Sequence, residues 1–456
     1  MLRKPLPQQT ALEIVSLDGL VPKDHLLRKI DAVIDFSFIH ARVAGLYCPD
    51  NGRPALDPTL MFKVLFVGYL FGIRSERQLV REIEVNVAYR WFLGLQLTDP
   101  VFDASTLSQN RRRRFCGTTV AQDIFDAIVE QAIRHDLVDG TVLYTDSTHL
   151  KANANKNRYD MAVVAKSRSD YWDALEAAVA EDREAHGKKP LKDKPRMPVE
   201  KETKVSRTDP ESGYMVRDGK PKGFFYLDHR TVDGRLGIIT DTHATPANVH
   251  DSIVYLGRLD RQRERFGFEV GAVGLDAGYA TSGIAKGLEE RNILGVTGYR
   301  RPTPPRPGMM PSKVFQYEPE TDGYRCPEGQ LLAYATTDRT GYRHYKSDPT
   351  ICRTCPLLAS CTSSANATRL IVRHVWAGAR ERTDAHRLTP WGKSIYKRRK
   401  ETVERSFADA KQLHGHRYAR FRGLLAVHCQ CLLAAAAQNI KKIALAIAAK
   451  QVSAPA

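Results

Sequence analysis

The sequence predicts an α/β protein in which a mixed sheet covered by helices follows an all-helical N-terminal domain and carries a cysteine-rich insertion. Residues 1–118 show helix caps and apolar residues at helical spacing. From residue 119 onward, strand-like runs come first and then alternate with helical stretches, which is typical of a mixed sheet. A later segment that opens with several prolines contains four of the cysteines.

The predicted domain boundaries follow these changes of pattern. Residues 1–118 form the helical domain, and residues 119–299 form the first part of the core. A segment dense in charged residues, 156–222, interrupts that core. Residues 300–392 form the cysteine-rich insertion, and the helices of residues 393–456 complete the core.

Helix starts are the clearest signals in the N-terminal domain. Asp57 followed by Pro58 is an N-cap with proline at the first helical position. Ser75 starts another helix, in which Leu79, Ile83, Val87 and Trp91 recur every four residues on one buried face. These signals predict at least two packed helices before the core.

The charge of the chain favours a polyanionic partner. There are 69 Lys and Arg residues against 52 Asp and Glu, a formal net charge of +17, and nucleic acid is the commonest such partner. One run of four consecutive positive residues is Arg111, Arg112, Arg113 and Arg114. These side chains could bridge several phosphates, whereas a solvated helix face is the alternative interpretation. We therefore expect binding of double-stranded DNA, with the helical domain as the DNA-binding part.

The core is predicted from five strand-like runs and two helical stretches. The strands are expected at residues 141–145, 223–227, 235–240, 270–275 and 293–297, and the helices at residues 250–265 and 282–291. Two acidic residues, Asp146 and Asp276, each end one of the apolar runs. A carboxylate at the end of a buried strand is costly unless it binds a cation or a strong donor.

A metal site is the chemistry that such a pair suggests. Adjacent parallel strands would bring Asp146 and Asp276 close enough to bridge two metal ions about 3.5–4 Å apart. Carboxylate-rich sites suit Mg²⁺ or Mn²⁺. Glu404, in a basic helix-like stretch, is the candidate third ligand, and Lys400 and Lys411 are predicted on the same helix face to hold DNA phosphates. An ordinary surface helix with ion pairs four residues apart is the alternative for that stretch.

Other acids compete with these three. Asp251, together with Asn248, is expected to cap the helix that follows. Asp228 and Asp233 are expected to flank a solvated turn.

The cysteines give a second signal. Cys352 and Cys355 form a C-x-x-C pair, and with Cys326 and Cys361 they could complete a four-cysteine structural zinc site, free thiols being the alternative. The other cysteines are expected to be buried thiols: Cys48, Cys116, Cys429 and Cys431.

Two features suggest a cytoplasmic protein without membrane association. The N-terminus lacks the apolar core of a signal peptide. The weakly charged stretch 423–440 contains His, Gln and Asn and predicts a buried or amphipathic helix.

Several motifs in order resemble the DDE transposases of bacterial insertion sequences, and most closely the insertion-sequence eleven-eighty-two branch, related to the four and five superfamilies. They are residues 144–148 (Tyr-Thr-Asp-Ser-Thr), 245–252 (Thr-Pro-Ala-Asn-Val-His-Asp-Ser), 275–279 (Leu-Asp-Ala-Gly-Tyr) and 403–411 (Val-Glu-Arg-Ser-Phe-Ala-Asp-Ala-Lys). Lys411 matches the lysine of the Tyr-Arg-Glu-Lys signature of related groups. Lys400 stands where that signature has arginine, and Tyr396 is one residue from the expected tyrosine.

The resemblance implies an RNase H-like fold with Asp146, Asp276 and Glu404 as metal ligands. It implies cleavage at the ends of a mobile element and strand transfer into target DNA, by a homodimer or larger assembly. Two alternatives stay open on the sequence: a metal-dependent endonuclease that does not join strands, and a DNA-binding protein with a vestigial core.

Overall fold

The N-terminal part of the structure consists of helices. The computed structural model describes residues 13–48, 50–51, 55–165, 171–192, 200–216, 222–299 and 306–453. The helices before the first strand are α1 (Leu17–Leu20), α2 (Leu26–Asp31), α3 (Phe38–Val43), α4 (Pro58–Leu70), α5 (Glu76–Val85), α6 (Val87–Leu93), α7 (Ala104–Asn110) and α8 (Val120–Arg134). Both predicted caps are confirmed, because Asp57 accepts backbone hydrogen bonds at the start of α4 and Ser75 does so at the start of α5.

A mixed sheet forms the centre of the molecule. The elements of this region are β1 (Val142–Lys151), β2 (Tyr159–Ala165), α9 (Trp172–Ala185), β3 (Glu200–Ser206), β4 (Gly213–Met215), β5 (Gly223–Asp233), β6 (Ile239–Pro246), α10 (Asp251–Phe266), β7 (Ala272–Leu275), α11 (Ser282–Glu290) and β8 (Leu294–Thr297). Strands β2 and β3 form a separate two-stranded sheet within the charged segment.

The order of the central sheet is β4-β5-β1-β7-β8, with β6 also paired to β5. Strand β5 runs antiparallel to both of its neighbours β1 and β6, whereas β7 and β8 run parallel to β1. The prediction that Asp228 and Asp233 lie in a solvated turn is wrong. Both residues belong to β5, which is buried along its whole length because β1 and β6 flank it.

A second, antiparallel sheet follows the core. The remaining elements are β9 (Gln316–Glu318), β10 (Gly323–Arg325), β11 (Leu331–Thr337), β12 (Tyr342–Lys346), α12 (Pro349–Cys352), α13 (Leu358–Cys361), β13 (Leu370–His374), α14 (Ala377–Leu388), α15 (Pro390–Arg398), α16 (Val403–Leu413) and α17 (Leu424–Ser453). The five strands β9 to β13 have their own small core of Phe315, Leu332, Tyr345 and Ile371. Helix α14 packs against β8 and α11.

The long helix α17 joins the N-terminal helices to the sheet. It packs against α2, α4, α8 and β6. By length and composition Leu424–Gln451 could cross a membrane, but 67% of its most apolar window is buried within the protein, as in the core helix of a soluble domain. One of its buried polar side chains is fully used inside: the Asn439 side chain both donates to and accepts from the backbone of Ile239.

Candidate functional site

Asp146 and Asp276 lie side by side on the central sheet. Thr145 pairs with Leu275 in the parallel register of β1 and β7, and each aspartate follows directly. The predicted adjacency is therefore confirmed. One detail is wrong: Asp146 does not end its strand, because β1 continues to Lys151 along β5.

An arginine that the sequence analysis missed lies between these two carboxylates. Arg399 Nη2 donates to Asp146 Oδ2 at 2.7 Å, and its Nη1 is 3.8 Å from Asp276 Oδ1. Its side chain is only 4% exposed, whereas that of Asp276 is 48% exposed. The guanidinium thus supplies positive charge to an acidic pair that is open to solvent on one side.

This single arginine does not fully neutralise the pair. The pKa of Asp146 is raised to about 6. Burial is the main cause, and the neighbouring Asp276 contributes in the same direction, whereas Arg399 opposes both. Two carboxylates that share one cation form a site where an additional positive charge is favourable. The donors are hard oxygen atoms, so the site fits a divalent cation of the Mg²⁺ or Mn²⁺ class.

Glu404 occupies the first turn of α16, as the motif predicted for a helical acid. Helix α16 packs against β1 and β5, and its Ser406 accepts a hydrogen bond from Arg230 of β5. The backbone N–H of Glu404 donates to the carbonyl of Arg399, whose side chain reaches Asp146. Glu404 itself is exposed, five residues after the arginine that contacts both aspartates. Among the described residues, the carboxylates of Glu404, Asp146 and Asp276 do not form a group with ligand atoms all within 4.8 Å of one another.

The predicted lysine face around Glu404 is wrong for Lys400. That residue lies in the turn between α15 and α16, because the chain leaves helical geometry from Arg399 to Thr402 while Arg399 points inward. Lys411 does lie in the last turn of α16. An ion pair of Arg405 with Asp409 also occupies this helix, as the alternative interpretation expected.

A signal that could have revealed Arg399 was present in the sequence. Relative to Glu404, the tyrosine and the arginine of the Tyr-Arg-Glu-Lys signature are both displaced by one position, to Tyr396 and Arg399. In the structure the Arg399 guanidinium lies 5.4 Å from the ring centre of Tyr396. The turn before α16 absorbs the extra residue.

A fourth carboxylate supports the site from α10. Asp251 Oδ1 accepts a hydrogen bond from Ser147 Oγ at 2.8 Å, and the backbone of Ser147 donates to Asp146 Oδ1 at 2.8 Å. The buried His229 approaches Asp251 at 3.7 Å through its Nδ1, which has no hydrogen-bond partner. The expectation that Asp251 caps α10 is wrong, since the side chain of His250 accepts that bond.

The arginine run is used in two ways. Residues Arg111–Phe115 form a π-helical turn after α7. Arg111 pairs with Glu76 and stacks at 3.8 Å on Phe421, and Arg114 stacks at 4.3 Å on Tyr47. These two side chains hold the fold together, because each is committed to a partner within the protein.

The middle of the run differs from its ends. Arg112 and Arg113 are exposed on the outside of the π-helical turn. They are the members of the predicted phosphate-contacting set that remain directed to solvent.

The four cysteines predicted as zinc ligands converge on one end of the second sheet. Burial raises the pKa of the Cys361 thiol, and so does the proximity of Cys352, Cys326 and Cys355. Cys326 and Cys361 also pack on the same apolar cluster. Within the described residues, however, the one group of three candidate ligands with atoms all within 4.8 Å of one another lies elsewhere, at Asp228, His416 and Cys431.

The remaining cysteines differ from their prediction in part. Cys431 is buried and Cys429 is half-buried, but Cys48 and Cys116 are exposed. Their neighbouring apolar residues belong to helix ends that leave the thiols at the surface.

Two comparisons with known families bear on this site. Residues 15–113, which span the N-terminal helices, match a family described as a transposase domain (DUF772). Residues 325–444, which contain Arg399, Glu404 and the cysteine cluster, match a transposase DDE domain. Among curated proteins there is no match. The two matches together support a DDE transposase, and the DDE domain implies use of a divalent metal and a DNA substrate.

Proposed function

We propose that this chain is an insertion-sequence transposase that binds the ends of its element, cleaves DNA there and transfers the strand into target DNA. The observation that carries the proposal is the adjacency of Asp146 and Asp276 at β1 and β7, with Glu404 in the first turn of a helix, α16, that packs against β1. The two matched transposase families support the same activity. A place in the insertion-sequence eleven-eighty-two branch is part of the proposal and rests on the ordered motifs.

The catalytic core is proposed to be RNase H-like. Three antiparallel strands, β1, β5 and β6, are followed by two strands parallel to β1, with helices α10 and α11 in the connections. This order supports the fold that the motifs imply. It also places the first two acids on neighbouring strands, and it brings the third from a helix late in the chain.

Asp146, Asp276 and Glu404 would hold the divalent ions, with Mg²⁺ or Mn²⁺ as the fitting metals. When bound, such ions activate an attacking water or 3′-hydroxyl and stabilise the leaving oxygen. In cleavage, the water oxygen bonds to phosphorus and the P–O3′ bond breaks to free a 3′-hydroxyl. In transfer, that hydroxyl bonds to a target phosphorus and displaces another 3′-oxygen. Arg399 contacts both aspartates and holds them together before DNA arrives.

We also propose a structural zinc ion at Cys326, Cys352, Cys355 and Cys361. The convergence of these thiols on one end of a small sheet supports it, because a domain with so small an apolar core gains folding energy from a metal. A homodimer or larger assembly in the bacterial cytoplasm is the state in which two element ends would be held together.

The decisive experiment is a strand-transfer assay with purified protein, Mg²⁺ and a duplex that carries the element ends. Wild-type protein should give cleaved and joined products. Glu404→Gln should bind DNA but cut it at least about 10³-fold more slowly, because a metal-binding charge is lost. Arg405→Gln is the matched control, since Arg405 is the next residue of α16 and pairs with Asp409 on the exposed face.

The outcomes separate the alternatives. Cleavage without joining would identify an endonuclease, and binding without any metal-dependent cleavage would identify a vestigial core. Full activity of Glu404→Gln would move the third ligand to another residue. For zinc, metal analysis of protein purified in metal-free buffer should find one ion per chain, and Cys352→Ser should lose it.

A further inference from the structure

We propose that a groove between the N-terminal helices and the segment 417–422 binds an unpaired stretch of the DNA end, with a base stacked on Tyr418. This inference rests on the proposed function, because it names a subsite for the same substrate. The groove has a volume of 790 Å³. Its lining includes Arg74, Gln78, Glu82, Tyr418 and Arg420.

The groove lies beside the acidic site on the same edge of β1. Strand β7 accompanies β1 only as far as Thr145 and Leu275. Farther along that edge, Lys151 pairs with the segment around Tyr418, accepting from Ala419 at 2.8 Å. The stretch of β1 between these two pairings begins at Asp146 and ends at the groove.

The distance suits a strand that crosses this gap. Lys151 is five residues beyond Asp146 on one strand, so the groove is ~17 Å from the aspartates at about 3.3 Å per residue. One DNA strand advances about 3.4 Å per nucleotide, so the groove would contact DNA about five nucleotides from the scissile phosphate.

The side chains of the groove are those that bind single strands. Tyr418 is 44% exposed, and the cations of Arg74 and Lys151 lie 5.3 and 5.8 Å from its ring centre. Arg420 stacks at 4.1 Å on Tyr69, and its Nη2 has no hydrogen-bond partner. Both cations lie over the half-exposed ring of Tyr418. An exposed aromatic ring with cations close to it can stack a base and neutralise its phosphates without sequence preference.

The groove is also held rigidly, because it lies at the junction between the N-terminal helices and the end of α16. The φ angles of Gly72 and Gly415 are +68° and +63°, and a Cβ on Gly72 would lie 2.9 Å from the Leu413 carbonyl. His414 Nδ1 donates to the Tyr69 carbonyl at 2.9 Å. Because Leu413 ends α16, DNA held in the groove is fixed relative to the helix that carries Glu404.

Fluorescence anisotropy of the full-length protein in buffer without Mg²⁺ or Mn²⁺ tests the proposal without activity. The probes are one labelled duplex with a single-stranded 3′ tail and the same duplex with blunt ends. Wild type should prefer the tailed duplex. Tyr418→Ala should weaken tailed binding about 5- to 100-fold and blunt binding much less. Tyr418→Phe should keep the preference, because the ring remains.

Two further variants sharpen the test. Tyr342→Ala, which removes a tyrosine of similar exposure on the second sheet (41%), should change neither affinity. Arg74→Gln should reduce the salt dependence of tailed binding by about one phosphate contact. Tailed binding unchanged in Tyr418→Ala, or an equal loss for both probes, would overturn the groove proposal alone. Absence of binding to either probe by wild type would overturn the proposed function as well.

Discussion

Two aspartates lie near each other on one face of the central sheet, but the protein surrounds them with opposite environments. Asp146 of β1 pairs across the strands with Arg230 of β5, and Asp228 pairs with Thr148 two residues farther along. Alternation along a strand therefore puts both aspartates on the face that α16 covers. Their surroundings differ in hydrogen bonding, burial and charge.

Asp228 is completely satisfied by the protein. Its carboxylate accepts from Arg230 Nη2 at 2.8 Å, Thr242 Oγ1 at 2.5 Å and His416 Nε2 at 3.0 Å, and it is 0% exposed. Burial opposes its ionisation, but Arg230 and His416 outweigh burial and hold the pKa of Asp228 well below its usual range. It is an anion that the fold requires.

Asp146 has the opposite character. Its partner Arg399 is shared with Asp276, burial raises its pKa to about 6, and the pair opens to solvent through the half-exposed Asp276. The lesson is that ligand geometry alone does not identify a metal site. Asp228, His416 and Cys431 are close enough to hold an ion, but Arg230 already fills the role of the cation there.

Asp146→Asn should give the largest change and should affect activity alone. Loss of a metal-binding carboxylate removes several kcal/mol of transition-state stabilisation, so DNA cleavage should fall about 10³-fold or more. The free energy of unfolding should change by less than about 1.5 kcal/mol, because the amide oxygen can still accept from Arg399. Cleavage within tenfold of wild type at saturating Mg²⁺ would remove Asp146 from the site.

Asp228→Asn should instead affect stability. Breaking a buried ion pair leaves Arg230 without its counter-charge and should cost about 3–5 kcal/mol in the free energy of unfolding, measured by urea denaturation. Asp160→Asn is the control, because its pair with Arg207 is exposed to solvent and its loss should leave the free energy of unfolding nearly unchanged. A loss for Asp228→Asn as small as that of the control would show that the buried centre is not required by the fold.

The same contrast explains what the sequence could predict. Asp146 and Asp276 were found because each follows an apolar run, and the caps at Asp57 and Ser75 were found because caps are local. Arg399 was missed because its partner is 253 residues away in sequence.

Two aspartates were misplaced for the same reason. Asp228 looked like a turn residue because its partner His416 lies 188 residues later. Asp251 looked like a helix cap because its bond to Ser147 spans 104 residues. Local pattern locates ligands, whereas tertiary contacts decide which acids are free to act.

Asp251→Ala, which removes the acceptor for Ser147 Oγ, should have an intermediate effect on metal binding at the site of Asp146 and Asp276. Asp251 orients Ser147, whose backbone N–H orients Asp146, so Asp251 is a positioning residue. Loss of such a support typically costs about 10- to 100-fold in metal affinity. The Mg²⁺ concentration for half-maximal cleavage should rise accordingly, with cleavage at saturating Mg²⁺ much less affected.

Asp260→Ala is the matched control for that measurement. Asp260 lies on the same helix, α10, but pairs with Arg291 away from the site. Its variant should show the wild-type dependence on Mg²⁺. An equal shift in both variants would mean that disturbance of α10, and not the bond to Ser147, changes metal binding.

Acid should destabilise the fold through two buried histidines, His414 and His416. Burial lowers the pKa of His414 to about 4 and also lowers that of His416, so both are neutral in the folded state, whereas in the unfolded chain they bind protons near pH 6.5. The unfolded state therefore takes up more protons between about pH 6.5 and 4, and their contribution to stability falls as the pH decreases through that window. His414→Asn can keep the bond to the Tyr69 carbonyl but cannot titrate. Its free energy of unfolding, measured in urea with EDTA, should depend less steeply on pH than that of wild type, by up to one proton. Equal slopes would show that His414 takes up its proton in the folded state as readily as in the unfolded chain. The junction beside α16 would then be more open to water than the burial of His414 indicates.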